Sequence, residues 1–184
     1  MSEPHSSGAP SPWVVRWLGA IPAGGPVLDL ACGGGRHVQL LREHGHPVTA
    51  VDRDTVAVRA AFATDAGVEV LTSDLEGAPW PLAGRTFAGV VVTNYLWRPL
   101  LPAIVAAVAP CGVLLYETFL LGHELLGRPR NPDFLLRPGE LRAAVAGALE
   151  VIEFQEGPDG DPPVALRQRL CARRPARAGA GAGS

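Results

Sequence analysis

Apolar positions along the chain switch between two periods. In "PWVVRWLGAI" Val14, Trp17, Leu18 and Ile21 recur at helical spacing. "PVLDLAC" is a short apolar strand, and "RHVQLLREHG" a helix closed by Gly45. "PVTAVD" is a second strand, "TVAVRAAFATDAG" an Ala-rich helix ending at Gly67, and "VEVLTSD" a third strand. "FAGVVVTNY" is almost continuously apolar, the mark of a strand buried on both faces. "PLLPAIVAAVAP" sets Leu101, Ile104, Val105 and Val108 on one helical face, and "GVLLYETF" follows as a fifth strand. "GELRAAVAGAL" is a helix with Leu141, Val145 and Leu149 in register. "EVIEFQEG" and "PVALRQRLCARR" then come strand after strand.

The alternating part demands crossover connections, hence parallel strands with helices on both faces. The closing pair, with no helix between its members, is antiparallel. The expected fold class is α/β: a single-domain, Rossmann-like, three-layer αβα sandwich with a mostly parallel seven-stranded sheet and an antiparallel C-terminal strand pair. In such sheets ligands bind beyond the carboxyl ends of the strands, where strand order reverses. Residues 1–10 read as a flexible N-terminal segment, 11–175 as the domain and 176–184 as a disordered, low-complexity tail.

Composition narrows the function. At 184 residues and 47% hydrophobic, the chain can bury one sizeable core. A formal charge of −2 gives no global pull toward nucleic acid or an anionic membrane. Every basic residue is Arg, so lysine Schiff-base chemistry is excluded. Cys32, Cys111 and Cys171 stand far apart and outside any His cluster, which points to reduced thiols and no metal site. The first residues lack a signal-peptide pattern, and no apolar run reaches the about 20 residues of a membrane span. A cytoplasmic protein of bacterial type, monomeric or weakly dimeric, is the expectation.

The chemistry concentrates at "VLDLACGGGRH". Gly33 and Gly35 occupy the turn between the first strand and the next helix, where positive φ and close ligand approach need a missing side chain. The helix start offers unpaired N–H groups to an anionic ligand group. The bland alternative is a tight strand-to-helix turn. A nucleoside triphosphate loop requires a Lys the chain lacks, and the dinucleotide fingerprint requires Gly where Val38 stands. Asp52 ends the second strand roughly 20 residues beyond the glycines, where a carboxylate can accept from both ribose hydroxyls or simply close a turn. Asp74 ends the third strand, placed to accept from an exocyclic amine, with Leu75 as an apolar wall.

These residues resemble the class I S-adenosylmethionine-dependent methyltransferases. "VLDLACGGGRH" is similar to that family's first motif, "VDRD" to its ribose-binding strand end and "TSDLEGAPWPL" to its adenine-binding segment. "FAGVVVTNYL" and "GVLLYETF" are similar to its fourth and fifth strands, and the whole most resembles small bacterial enzymes such as the tellurite-resistance methyltransferase group. The resemblance implies S-adenosyl-L-methionine as cofactor. It implies that Asp29 orients the methionine amine, that Ala31, Gly33 and Gly35 present backbone, and that Arg36 and His37 help hold the carboxylate. It further implies that Asp52 with Arg53 serves the ribose, that Ser73, Asp74 and Leu75 serve the adenine, and that Asn94 and Tyr95 line the methyl end. For Arg36 and His37 a solvated first helical turn is the equal alternative.

In-line transfer from a sulfonium needs alignment more than a dedicated base. "TNYLWRP" replaces the Asn/Asp-Pro-Pro-Tyr stretch of exocyclic-amine methyltransferases, which disfavours nucleobase and glutamine acceptors and leaves a small-molecule or metalloid nucleophile. Acceptor-pocket candidates are Tyr95, Arg98, Tyr116, His123, Arg128 and Arg130, with Trp97 read as a packing residue and Glu117 and Phe119 at the end of the fifth strand. The segment 120–136 is long for a connection and covers the cleft. It is either a lid with an anion-reading Arg pair or, preferred, a Pro-pinned surface loop with solvated arginines. Two other classes stay open: a non-catalytic cofactor-binding module and, less favoured, an NAD-dependent oxidoreductase.

Overall fold

The computed structural model describes residues 8–176. The expectations for residues 1–7 and 177–184 therefore lie outside the described residues. Seven strands form one sheet: β1 (Val27–Leu30), β2 (Val48–Asp52), β3 (Val68–Thr72), β4 (Phe87–Thr93), β5 (Val108–Phe119), β6 (Glu150–Asp159) and β7 (Ala165–Arg173). Their spatial order is β3-β2-β1-β4-β5-β7-β6. The first five run parallel; β7 pairs antiparallel with both β5 and β6. Strand order reverses between β1 and β4, which puts the ligand-binding crevice beyond Leu30 and Thr93. Among the described residues no helix is long and apolar enough to cross a membrane.

Alternation along each strand sorts side chains into two cores. Leu28, Leu30, Val90, Val92, Leu114, Tyr116 and Leu170 face α4 (Leu101–Ala106) and α5 (Glu140–Val145). Val27, Ala50, Val91, Leu115 and Cys171 face α1 (Pro12–Trp17), α2 (Arg36–Glu43) and α3 (Val56–Ala61). β4, paired on both sides, is buried at all but one of its positions, as its apolar run predicts. Asp29 falls on the α2 side of β1, between apolar neighbours.

Two elements differ from the sequence expectation. The Ala-rich helix ends at Ala61, because Asp65 turns the chain: it accepts from the Gly67 N–H at 2.8 Å and binds the Arg42 guanidinium through both oxygens. The helix expected through Pro110 ends at Ala106, and β5 starts at Val108 with a bulge. Cys111 takes φ 64° there, and Arg174 draws the Val105 and Val108 carbonyls off the helical path at 2.6 and 2.7 Å.

Candidate functional site

The turn after β1 carries a run of positive φ: Ala31 at 55°, Gly33 at 52° and Gly35 at 85°. Gly35 is required by packing, since a Cβ there meets Val58 and Phe62 of the α3 region at 3.0 Å. Gly33 is open, with nothing within 4 Å of a Cβ position. Its N–H donates to Asp52 Oδ2 at 2.8 Å, which ties the glycine turn to the end of β2. Ala31 holds the left-handed conformation without being Gly, a strain of roughly 1–2 kcal/mol.

Asp29 is 1% exposed, and among the described residues its Oδ2 has no hydrogen-bond partner. Burial pushes its carboxyl up to about 7, against the pull of the Arg36 guanidinium; the Asp52 charge adds to the rise. A buried carboxylate oxygen without a donor is costly. Asp29 lines neither cavity but stands on β1 two residues before Ala31, close enough to Arg36 and Asp52 to feel both charges, and an unpaired buried carboxylate oxygen there fits a cationic ligand group.

A cavity of about 330 Å³ opens over the tips of β1, β2 and β3. Ala31, Asp52, Arg53, Ser73, Asp74 and Leu75 line it, together with Tyr95. Seven of the expected residues thus share one cavity. Among the described residues the Tyr95 hydroxyl is buried and unpaired, and burial raises its pKa above the ordinary phenol value. Two further lining residues, Glu76 and Phe134, were not singled out in the sequence. Glu76 follows directly on the Asp74–Leu75 pair. Phe134 comes from a short 3₁₀ turn, Pro132–Phe134, inside the long connection. Its signal was being the only aromatic residue between Leu120 and Leu136.

A second cavity, of about 470 Å³, lies over the tips of β4, β5 and β7. Arg36, Asn94, Glu117, Arg167 and Arg169 line it, and Ala9–Trp13 form its outer wall. The adjacent residues Asn94 and Tyr95 separate the two cavities, one lining each. Their turn is pinned from below: the Asn94 N–H donates to Glu117 O at 3.0 Å, and the Tyr116 hydroxyl donates to Tyr95 O at 2.9 Å. Tyr116 therefore sits beneath the acceptor side, fully buried, rather than lining it. Arg167 and Arg169 escaped the sequence reading because "ALRQRLCAR" looks like a strand with one solvated face.

Other expected groups are committed to the fold. His37 is 1% exposed, and its Nε2 accepts the Ser11 N–H at 3.0 Å, which anchors the N-terminal wall. Burial, helped by the Arg36 charge, pushes its pKa down to about 4, so it stays neutral. Arg98 forks onto Glu140 at 2.7 and 2.9 Å and donates to Asp133 O and Leu135 O. It clasps the 120–136 connection instead of pointing into a cavity. His123 is buried, stacked on Phe119 at 4.2 Å with Nε2 on Arg128 O at 2.8 Å, and it lines neither cavity. Arg128 and Arg130 are exposed and border a separate shallow hollow across Phe134. Trp97 packs half-buried against the core. Among the described residues no group of His, Cys, Asp and Glu is placed to hold a metal ion.

With this geometry in hand, residues 27–112 match the family model described as a methyltransferase domain. No curated protein matches the chain in sequence. The fold is shared with TehB from Haemophilus influenzae (TM-score 0.73, 19% identity, 92% of this chain and 64% of that one). It is shared too with an S-adenosylmethionine dependent methyltransferase from Mesorhizobium loti (TM-score 0.67, 18% identity, 87% of this chain and 96% of that one). A third likeness is to Burkholderia thailandensis 1,6-didemethyltoxoflavin-N1-methyltransferase, solved with 1,6-didemethyltoxoflavin and S-adenosylhomocysteine (TM-score 0.68, 17% identity, 92% and 80%). The chain spans about two thirds of the TehB length, 64%. Residues 27–112 are thus similar to a methyltransferase domain, and the chain has the fold that TehB shares with S-adenosylmethionine-dependent methyltransferases.

Proposed function

We propose that the chain binds S-adenosylmethionine across the tips of β1 to β4 and catalyses methyl transfer to a small-molecule nucleophile. The observation that carries this reading is the buried, donor-less Oδ2 of Asp29 beside an open glycine turn. When bound, the cofactor supplies a methyl group on a sulfonium, whose neutral thioether leaves without acid catalysis. Asp29 presents its carboxylate to the ammonium of the methionine part. Arg36, at the start of α2 and facing the second cavity, meets the carboxylate. Asp52, aided by Arg53, accepts from the ribose hydroxyls; Asp74, flanked by Ser73 and Leu75, accepts from the adenine amine. Tyr95 and Phe134 shield this half of the crevice from water.

Asn94 and Tyr95 hold the acceptor in line with the methyl group. Alignment of this kind is worth roughly 7–11 kcal/mol of barrier. The second cavity favours an enzyme over a non-catalytic binding module, since a module has no use for open space beyond the Asn94–Tyr95 turn. Val38, fully buried against the second core, stands where a dinucleotide site needs a small residue, which argues against NAD.

Titration calorimetry tests the reading. S-adenosylhomocysteine binds and NAD does not; Asp52→Ala weakens S-adenosylhomocysteine by about 1–3 kcal/mol, roughly 5- to 150-fold. Equal affinity for both proteins removes Asp52 from the ribose role. Absence of any S-adenosylhomocysteine binding removes the function.

A further inference from the structure

We infer that Arg98, which lines neither cavity, is a positioning residue for the cofactor: it fixes the connection 120–136 as a preset cover over the nucleoside half of the crevice by holding Phe134 in the cavity wall. The inference rests on the methyltransferase reading above and adds to it a residue that acts through another.

The cover is closed at its base. Leu120 and Leu136 bridge, the Leu121 N–H donates to Leu136 O at 2.9 Å, and the Leu136 N–H donates to Phe119 O at 2.9 Å. Leu135 and Leu136 are fully buried, which anchors the returning arm in the protein. Phe134 directly precedes them. It ends the 3₁₀ turn Pro132–Phe134, which Asn131 caps by accepting the Asp133 N–H at 3.0 Å. Phe134 is half-buried and lines the cavity that Asp52 and Asp74 also line.

Arg98 grips this turn at the two residues that flank Phe134. Nη1 donates to Asp133 O at 2.7 Å, and Nη2 donates to Leu135 O at 2.8 Å. Nε and Nη2 also donate to the Glu140 carboxylate at 2.7 and 2.9 Å. Glu140 Oε2 accepts the Arg137 N–H at 2.7 Å, so the same ion pair secures the chain just past the connection. A planar guanidinium reaches two carbonyls and a carboxylate at once; the compact ammonium of Lys does not.

The grip starts from a firm base. Arg98 opens the 3₁₀ turn Arg98–Leu100, three residues after Tyr95, and the buried side chains of Leu96 and Leu100 hold that stretch in the core. Tyr95 is fixed there too, its carbonyl accepting from the Tyr116 hydroxyl at 2.9 Å. Tyr95 and Phe134 are the two aromatic residues of the cavity lining, and Arg98 ties the segment of one to the segment of the other. The placement of the Phe134 wall is therefore set by the protein and not left to the ligand. Without the fork, the turn has to be ordered as the ligand binds, and that ordering weakens affinity.

The test is a double-mutant cycle of Arg98→Lys and Phe134→Ala in the full chain, read by titration calorimetry with S-adenosylhomocysteine and accompanied by a thermal melt of each variant. Each single substitution lowers the affinity at least about threefold. In the Phe134→Ala background, Arg98→Lys lowers it by less than about 1.5-fold further, because a cover without its aromatic residue leaves nothing to position. A purely structural role of Arg98 gives the same loss in both backgrounds, and that result overturns the proposal. A smaller loss than about threefold in Phe134→Ala, whose half-buried side chain the fold does not depend on, overturns it without reference to Arg98. Where Arg98→Lys melts below the assay temperature, Glu140→Gln takes its place in the cycle under the same criteria, since it keeps the shape of Glu140 and loosens its hold on Arg98. Failure of S-adenosylhomocysteine to bind the unaltered protein sinks the methyltransferase reading itself, and this inference with it.

Discussion

The two halves of the crevice are built by different means. Over β1 to β3 most of the lining comes from three successive strand ends between Ala31 and Glu76, with Tyr95 and Phe134 closing it from later in the chain, and it relies on carboxylates. Over β4, β5 and β7 the lining comes from Ala9 to Arg169, and it uses guanidinium groups held by long-range ion pairs. The first half is a local motif, so a generic ligand is written into it. The second is an assembly of the whole fold, so its ligand follows from how distant strands meet. The lesson is that a shared cofactor half says little about the partner half beside it.

The halves also titrate in opposite directions, and this offers the sharpest way to separate them. Asp29 belongs to the cofactor half. Its folded carboxyl is raised to about 7, so its contribution to stability is present below the ordinary carboxylate range and is lost as pH rises through 7. Asp29→Asn removes that loss. The ligand-free variant is then more stable than the unaltered protein at pH 8, by roughly 1–3 kcal/mol, and the gap closes toward pH 4. The same variant loses at least about tenfold in S-adenosylhomocysteine affinity. Urea unfolding at the two pH values and calorimetry at pH 8 check both outcomes. A variant less stable at pH 8 breaks the assignment of Asp29 as a held-ready acid.

His37 belongs to the other half, through the Ser11 anchor. Its folded pKa is lowered to about 4, so its contribution is complete above the ordinary histidine value and drains away as pH falls through 4. His37→Gln flattens that acid limb by about 2 kcal/mol between pH 7 and pH 4, read from the same urea series. The two groups offset one another in the unaltered protein, so only the single variants reveal the slopes.

The smallest effect concerns Ala31. Ala31→Gly relieves the left-handed strain and raises stability by about 1 kcal/mol, while S-adenosylhomocysteine affinity stays within twofold. Differential scanning calorimetry reads the first and titration the second. A stability loss shows that the Ala31 methyl packs usefully in the cavity wall.

Much of the fold was legible because each element carries its own period. The apolar run of β4, the Leu141–Val145 register of α5 and the unbroken succession of β6 and β7 fixed both the sheet and its antiparallel end. The start of β5 was not legible, because Val108 and Pro110 continue the periodicity of α4 and only Arg174, far along the chain, pulls the Val105 and Val108 carbonyls away. That Ala31, Asp52, Arg53, Ser73, Asp74 and Leu75 meet at one cavity was legible for the same local reason as β1, since each stands at or just beyond a strand end. The arginine half was not: Arg167 and Arg169 alternate with buried residues like any solvated strand face, and their pairing opposite Phe119 and Glu117 exists only in the sheet. Arg98 and His123 misled for the converse reason. Their chemistry suited a substrate, but Glu140 and Phe119 had already claimed them.

The anchoring of Ser11 by His37 has a practical side. The chain passes from Ala9 to Trp13 across the mouth of the arginine cavity, whereas Arg173 pairs with Val113 at the opposite end of the β5–β7 ladder. A purification tag or immobilising surface joined upstream of Ser11 therefore crowds the mouth of that cavity. The same handle joined downstream of Arg174 leaves that doorway clear, and assays that search for the acceptor belong on protein prepared that way.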